Sequence, residues 1–326
     1  MNTAAHHPHP LRGYLYIASA TLLWGVSATL GRAAFTGRLL SGGQALSPVD
    51  PLILSQSRVT VCFLALFLIL AATRGMRRLR LPWADVGRTF LLGTLGIAGS
   101  NYFYYLAIER TNVVTAIILQ YTAPIWVLLY AVARRLQKPT LERVAAVALA
   151  VGGSGLVINV FNGGGFRMDA VGVTAALLAA FAFAFYNVFG HALLMRYDRW
   201  TVLLYTTFGA SLFWMAVDPP WKIAAAHHTG GQWLFLLVFA VVSALAPFSL
   251  YAAGLQHLDP TRAIVASCLE PVFAIVIAAM ALGEVVQPLQ AAGVALVLMA
   301  VVVVQMPSRG KRGEDRKAAA VMEPIE

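Results

Sequence analysis

Charge is scarce in this chain: only 12% of its 326 residues are Asp, Glu, Lys or Arg, and 14 are carboxylates, where soluble domains carry about 25% charged residues. That shortage excludes an ordinary water-soluble domain, and a hydrophobic content of 59% with a mean hydropathy of +0.73 takes its place. Cysteine is nearly absent. Cys62 and Cys268 both fall inside apolar runs, so neither a disulfide framework nor a zinc site is expected, and both read as small packing residues. The chain has no GxxxxGK[ST] phosphate loop, so direct ATP coupling is not encoded in it. Long polar stretches are missing as well, and the short loops leave no room for a soluble catalytic domain.

What is present is a succession of apolar runs of roughly 20 residues, each long enough to cross a hydrocarbon core about 30 Å thick. Ten are read, at about 13–34, 52–72, 88–108, 113–133, 141–161, 170–194, 200–217, 232–253, 263–282 and 288–306. The first is too long for a signal peptide, contains Trp24 and has a counterpart later in the chain, so it counts as a span. Residues 1–12, with His6, His7 and His9, and residues 307–326 read as solvated tails, and no metal site is expected in either.

The net charge of +10 invites a nucleic-acid reading, but the position of the charges decides against it. With the N-terminus inside, 18 basic residues fall on the cytoplasmic side, in clusters such as Arg74, Arg77, Arg78 and Arg80. Only Arg32, Arg38, Arg110, Arg167 and Lys222 fall outside, and Arg58 lies just within the second span. The split follows the positive-inside rule and places both termini in the cytoplasm. No basic stripe interleaves with aromatics on a soluble face, so nucleic acid is not an expected partner.

Sliding the chain on itself reveals two halves. An ungapped offset of 147 (251 − 104) brings Tyr104 onto Tyr251, Ala116 onto Ala263, Ile117 onto Ile264 and Pro124 onto Pro271; an offset of 159 brings Gly13 onto Gly172 and Trp24 onto Phe183. Five spans per half is an odd number, so the second half enters the membrane from the opposite side. The expected fold is therefore an all-α integral membrane protein of ten transmembrane helices, built as two inverted five-helix repeats at 13–161 and 162–306.

The string NYFYYLAIERTNVVTAIILQYTAPIWVLL (101–129) and its partner SLYAAGLQHLDPTRAIVASCLEPVFAIVIAAMALGE (249–284) carry a resemblance. With Trp24-Gly25 and Tyr186-Asn187 they resemble EamA-type members of the drug/metabolite transporter superfamily, over about 13–305. That resemblance implies a small-molecule transporter of a bacterial inner (plasma) membrane, with no cofactor and no enzymatic activity. One departure stands out: the family ends its fourth and ninth helices with Gly-Glu, here Gly283-Glu284, whereas the first half has Leu136-Gln137. A structural role at a helix end is the favoured reading of Glu284.

The best single pointer to a site is Glu270, a carboxylate inside the run 263–282 with Pro271 directly after it. Such a charge costs about 2.5 to 3.5 kcal/mol on insertion scales, so protein or water must solvate it. Pro271, Pro124 and Pro247 break or bend their helices and free backbone carbonyls beside these positions. Ser267, Glu270 and Ala274 share one helix face, and Gln120 corresponds to Ser267 by the repeat. Asn101, Tyr105, Tyr121, Trp24, Asn187 and Tyr251 complete the expected cavity lining. Each ring also has the plainer role of filling a helix interface or the headgroup belt. Arg58 is expected to snorkel to headgroups or to pair with Asp50, and His191 is read as a packed histidine in preference to a proton relay.

Aromatic rings with one carboxylate suit an ammonium-bearing substrate. The leading expectation is a secondary transporter, an exporter of amino acids or related amines working by alternating access, with protons as the coupling ion at Glu270 and lipid as its surroundings. Efflux of cationic drugs or quaternary amines on the same fold is the alternative. A remote one is an intramembrane serine protease, from the GxSG-like Gly152, Gly153, Ser154, Gly155 and from His191; small residues that allow close helix packing explain that string more simply.

Overall fold

A computed structural model describes residues 9–36, 51–75, 79–158, 169–225, 228–282 and 285–306, and every element among them is helical. Most of the long segments are strongly apolar, whereas the one at Trp83–Leu91 carries Asp85 and Arg88 on a short amphipathic turn. The first two are α1 (Pro10–Thr36) and α2 (Pro51–Arg74). The third stretch runs α3 (Trp83–Leu91), a π-helical segment (Leu92–Ala98) and α4 (Gly99–Arg110). Then come α5 (Val113–Gln120), α6 (Ala123–Ala133) and α7 (Leu141–Val157). The second half begins with α8 (Ala170–Leu194), α9 (Arg199–Val217) and the short α10 (Trp221–Ala225). It continues with α11 (Gly230–Ala240), a second π-helical segment (Val241–Leu245) and α12 (Ala246–Leu255), and ends with α13 (Pro260–Ser267), α14 (Leu269–Leu282) and α15 (Pro288–Val303). Six of the described stretches, counted through their interruptions, are long and apolar enough to cross a membrane.

Two differences from the expected boundaries have local causes. Helix α1 starts at Pro10, inside the expected tail of residues 1–12, because proline is preorganised for a first helical turn and its missing N–H is no loss there. The short α10 was not foreseen; it follows Pro219 and Pro220, and Lys222 reaches back to the buried Asp218 at 2.9 Å. Of the expected tails, residues 1–8 and 307–326 lie outside the described residues, as do Gly283 and Glu284.

Local structure repeats at the offsets found in the sequence. The fourth stretch breaks at Tyr121–Thr122 and the ninth at Cys268, which is Tyr121 shifted by 147. Each broken stretch opens with a side-chain cap: Asn112 accepts the Thr115 N–H at 2.8 Å, and Asp259, again 147 residues on, accepts the Arg262 N–H at 3.1 Å. The two offsets also meet in one contact. A Cβ on Gly13 would press on His257 and Leu258, and one on Gly172 would press on Arg110 and Thr111, their counterparts at 147. Both π-helical segments end at corresponding positions, Ala98 and Leu245.

Packing places these breaks inside the molecule. Helix α7 lies against α15, where a Cβ on Gly153 would meet the Gly293 carbonyl oxygen and the Val297 nitrogen at 2.9 Å each. Helix α1 packs on α12, α13 and α14, while α8 packs on α4, α5 and α6. The two ends of the bundle differ. In α13 every residue from Thr261 to Ser267 except Arg262 is buried, whereas in α14 most described side chains keep accessible surface. The α13 end is tied by polar contacts: Gln137 donates to Asp259 (3.0 Å) and accepts from Thr261 (2.9 Å), Arg74 pairs with Asp198 (2.6 Å), Gln256 donates to the Leu194 carbonyl (3.3 Å), and Tyr197 donates to Asp85.

Candidate functional site

Glu270 occupies the first turn of α14, directly after the one-residue break at Cys268. The sequence places it there because Pro271 cannot donate to a continuous helix and fits an early helical position. Glu270 is surrounded by protein yet keeps intermediate accessibility. Tyr121, at the equivalent break of the first half, and Tyr104 are both close enough to its carboxyl to interact with it electrostatically.

A second cluster adjoins the first across Cys268 and Leu269. The Tyr251 hydroxyl donates to Asn187 Oδ1 at 2.6 Å, and the Asn187 amide donates to the Phe183 carbonyl at 2.9 Å; both side chains are fully buried. Ser267 lies beside Tyr251 and donates to the Ile264 carbonyl at 2.7 Å. Trp24 stacks against this group, with ring centroids 5.3 Å from Tyr251, 5.5 Å from Phe248 and 6.5 Å from Phe183. Gly25, beside Trp24, lets α1 approach α14 closely: a Cβ there would stand 3.0 Å from the Ala274 nitrogen, one turn beyond Glu270.

The expected lining residues therefore divide. Glu270 and Tyr121 form one cluster, and Ser267, Tyr251, Asn187 and Trp24 form the other. Gln120 turns to the α4 side, where its amide meets Ser100 at 3.5 Å, and Asn101 donates to the Ile97 carbonyl of the π-helical segment at 3.0 Å. Tyr105 packs on Tyr104 and on the buried Trp214. Pro124 and Pro247 each sit in the first turn of a restarted helix, α6 and α12. Tyr104, not Tyr105, faces Glu270, and the repeat carried that signal by aligning Tyr104 with Tyr251.

Arg58 corrects the expectation of a lipid-facing snorkel. It interacts electrostatically with Glu270 and with Cys62, and its Nε is buried without a hydrogen-bond partner among the described residues. Cys62, one turn further along the same face of α2, interacts in turn with Tyr186, so this face looks into the bundle. Asp50, the other partner considered for Arg58, lies outside the described residues. His191 Nδ1 is engaged with the Leu255 carbonyl at 2.7 Å, while Ser154 is fully buried beside the Cys268 thiol. Among the described residues no hydrogen bond joins Ser154 to His191.

An apolar cavity of about 380 Å³ lies at the α4–α8 seam, lined by Phe103, Leu106 and Leu178 among others. Neither Glu270 nor Tyr121 borders it, and its rim residues Val171 and Leu178 are outward-facing. It is a crevice on the apolar perimeter. Among the described residues no group of His, Cys, Asp and Glu is arranged to hold a metal ion.

A sequence profile of the EamA-like transporter family matches residues 11–159 and again residues 170–306. The chain belongs to that family. It is thereby a transporter of the drug/metabolite transporter superfamily and a multi-pass integral membrane protein. This EamA-type protein is 24% identical to the "Uncharacterized inner membrane transporter YicL" of Salmonella typhimurium over 302 residues, 91% of this chain and 96% of the relative. It is 25% identical to a "Probable terminal-alkyne amino-acid exporter" of Streptantibioticus cattleyicolor, over 80% of this chain and 86% of that protein. A solved crystal structure superposes with a TM-score of 0.74 at 20% identity, covering 92% of this EamA-type chain and 99% of the other, a likeness of fold alone.

Proposed function

We propose that this EamA-type protein is a secondary transporter, an exporter of amino acids or related amines through a bacterial inner membrane, and that Glu270 binds the substrate's ammonium group. The observation that carries the proposal is the setting of Glu270: a carboxylate enclosed by protein yet partly accessible, in the first turn of a restarted helix and near the side chains of Tyr121 and Tyr104. A carboxylate without such partners is too costly to keep within a membrane. The amino-acid exporter among its relatives supports the same substrate class.

In this reading the chain forms ten transmembrane helices as two inverted five-helix repeats, at 13–161 and 162–306, with the tails at 1–12 and 307–326 in the cytoplasm. The corresponding helix breaks, caps and glycine contacts support it. So does the contact of Trp24 with Phe183, since corresponding residues that touch must straddle the axis relating two repeats. With the termini inside, the tightly packed α13 end is cytoplasmic and the accessible α14 end is external. The conformation is then outward-facing, and alternating access requires the Gln137–Asp259–Thr261 contacts to open. Protons are the coupling ion of this scheme. Proteoliposome flux under an imposed pH gradient is the test: gradient-driven flux of an amino acid or amine is expected, and the proton scheme fails if flux ignores the gradient in the native protein.

A further inference from the structure

The crevice between α4 and α8 is a preformed slot with a charged mouth. At one end of the seam a Cβ on Gly172 would stand 2.8 Å from Arg110 Cβ and 2.5 Å from Thr111 Cγ2. Further along, Ser100 donates to the Ala179 carbonyl at 3.1 Å. These contacts pin the two helices together, and between them the cavity of about 380 Å³ opens outward over Phe103, Leu106, Val171, Thr174 and Leu178. Val171 and Leu178 are exposed, and the Thr174 hydroxyl turns back to the Ala170 carbonyl at 2.7 Å, so the walls are apolar. Because residues 170–194 are long and apolar enough to cross a membrane, their first turn, with Gly172 and the adjoining Arg110, lies at a membrane face. From Arg110 down to Phe103 is seven residues (110 − 103) of α4, roughly 10 Å along its axis and about two-thirds of one leaflet's hydrocarbon. The crevice therefore runs as an acyl chain runs, from the headgroup level inward.

Both signs of charge meet at the mouth. Arg110 is exposed in the last turn of α4 and pairs with no carboxylate among the described residues. Asp169 caps α8, its Oδ1 accepting the Val171 and Gly172 N–H groups at 3.1 and 3.3 Å, so Gly172 adjoins the arginine and the aspartate alike. Glu109, next to Arg110, is exposed as well. A guanidinium takes a phosphate in two-pronged geometry, and basic pockets between membrane helices hold lipid heads. The neighbouring carboxylates disfavour a head that brings negative charge alone. We propose that the α4–α8 crevice binds one phospholipid whose head carries a phosphate diester and a primary ammonium group, a phosphatidylethanolamine: the phosphate lies on Arg110, the ammonium group by Asp169 and Glu109, and one acyl chain fills the crevice. The seam joins the two matched halves of the chain, so the lipid also braces that joint.

The test is lipid binding by the purified full-length protein, delipidated in detergent and counted by native mass spectrometry. The probes are phospholipids of identical acyl chains with ethanolamine, choline or glycerol heads. The ethanolamine lipid should bind as one copy, at least tenfold more tightly than the other two, and should raise the thermal midpoint. Arg110→Gln should weaken it at least tenfold without moving the midpoint of the delipidated protein. Thr174→Trp, which fills the crevice from its exposed side, should remove the tightly held copy. Equal binding of the three heads overturns the proposal and leaves lipid there only as solvent. Tighter binding of the choline or glycerol lipid overturns it too. An ethanolamine preference that survives either variant does the same, by placing the site elsewhere.

Discussion

Single side chains set the chemistry of this protein, and several have effects that can be separated from transport. Tyr251 and Asn187 form a fully buried pair. Tyr251→Phe leaves the Asn187 carbonyl oxygen without its donor and should cost about 1 to 3 kcal/mol, read as a lower thermal midpoint in detergent. The double variant Tyr251→Phe/Asn187→Leu should lose less than the sum of its parts. At the α13 end of the bundle, hydrogen bonds from Tyr197 and then Arg88 hold the Asp85 carboxyl below its ordinary value of 3.8. Because the folded state lowers this value, the contribution to stability is complete above pH 3.8 and fades as pH falls through the lower folded-state value. Tyr197→Phe should therefore lower the thermal midpoint at pH 7, with the difference shrinking as pH drops below 4. The residue that sequence reading misplaced, Arg58, sits on a helix apolar on nearly every side, so no periodicity told which way it faces. Only the packing of neighbouring helices settles that direction.

Among elements, the interrupted helices were the most legible. Pro124 and Pro271 align in the sequence at an offset of 147, and the breaks at Tyr121–Thr122 and Cys268 fall two or three residues before them, as expected where a proline starts a new helical run. The π-helical segments were not legible, since an extra residue in a helical turn leaves no compositional mark in an all-apolar stretch. Nor was the partner of Gln137. Where the second half carries Glu284, the first half carries a neutral amide opposite Asp259, and a carboxylate there would face another carboxylate. In the proposed alternating-access scheme, Gln137→Glu should weaken the closed α13 end by about 1 kcal/mol, roughly a fivefold shift in the open–closed equilibrium. Faster alkylation of a cysteine placed at the buried Ile264, with Cys62 and Cys268 replaced by Ala, is the readout, and Asp259→Asn should reverse the gain. Gly153→Ala should cost about 1 to 3 kcal/mol, because its Cβ meets backbone atoms of α15 at 2.9 Å and backbone cannot turn aside. A matching drop in thermal midpoint, with little change at the accessible Gly152, is the expected pattern.

As a whole molecule, the protein sets unlike chemistry on corresponding positions: the two halves share prolines, caps and glycine contacts, while Glu270 corresponds to Ala123 and Ser267 to Gln120. The alternating-access scheme proposed above needs two nearly equivalent gates, and the proposed substrate recognition needs one carboxylate placed once. Counterflow in proteoliposomes isolates that recognition from any energy coupling, since exchange of labelled for unlabelled substrate needs no gradient. With the amino acid or amine that the native protein exchanges fastest, Glu270→Gln should reduce counterflow at least tenfold at an unchanged thermal midpoint, and Glu270→Asp should retain part of it. Counterflow by Glu270→Gln within twofold of the native rate would contradict the assignment of Glu270 to the substrate.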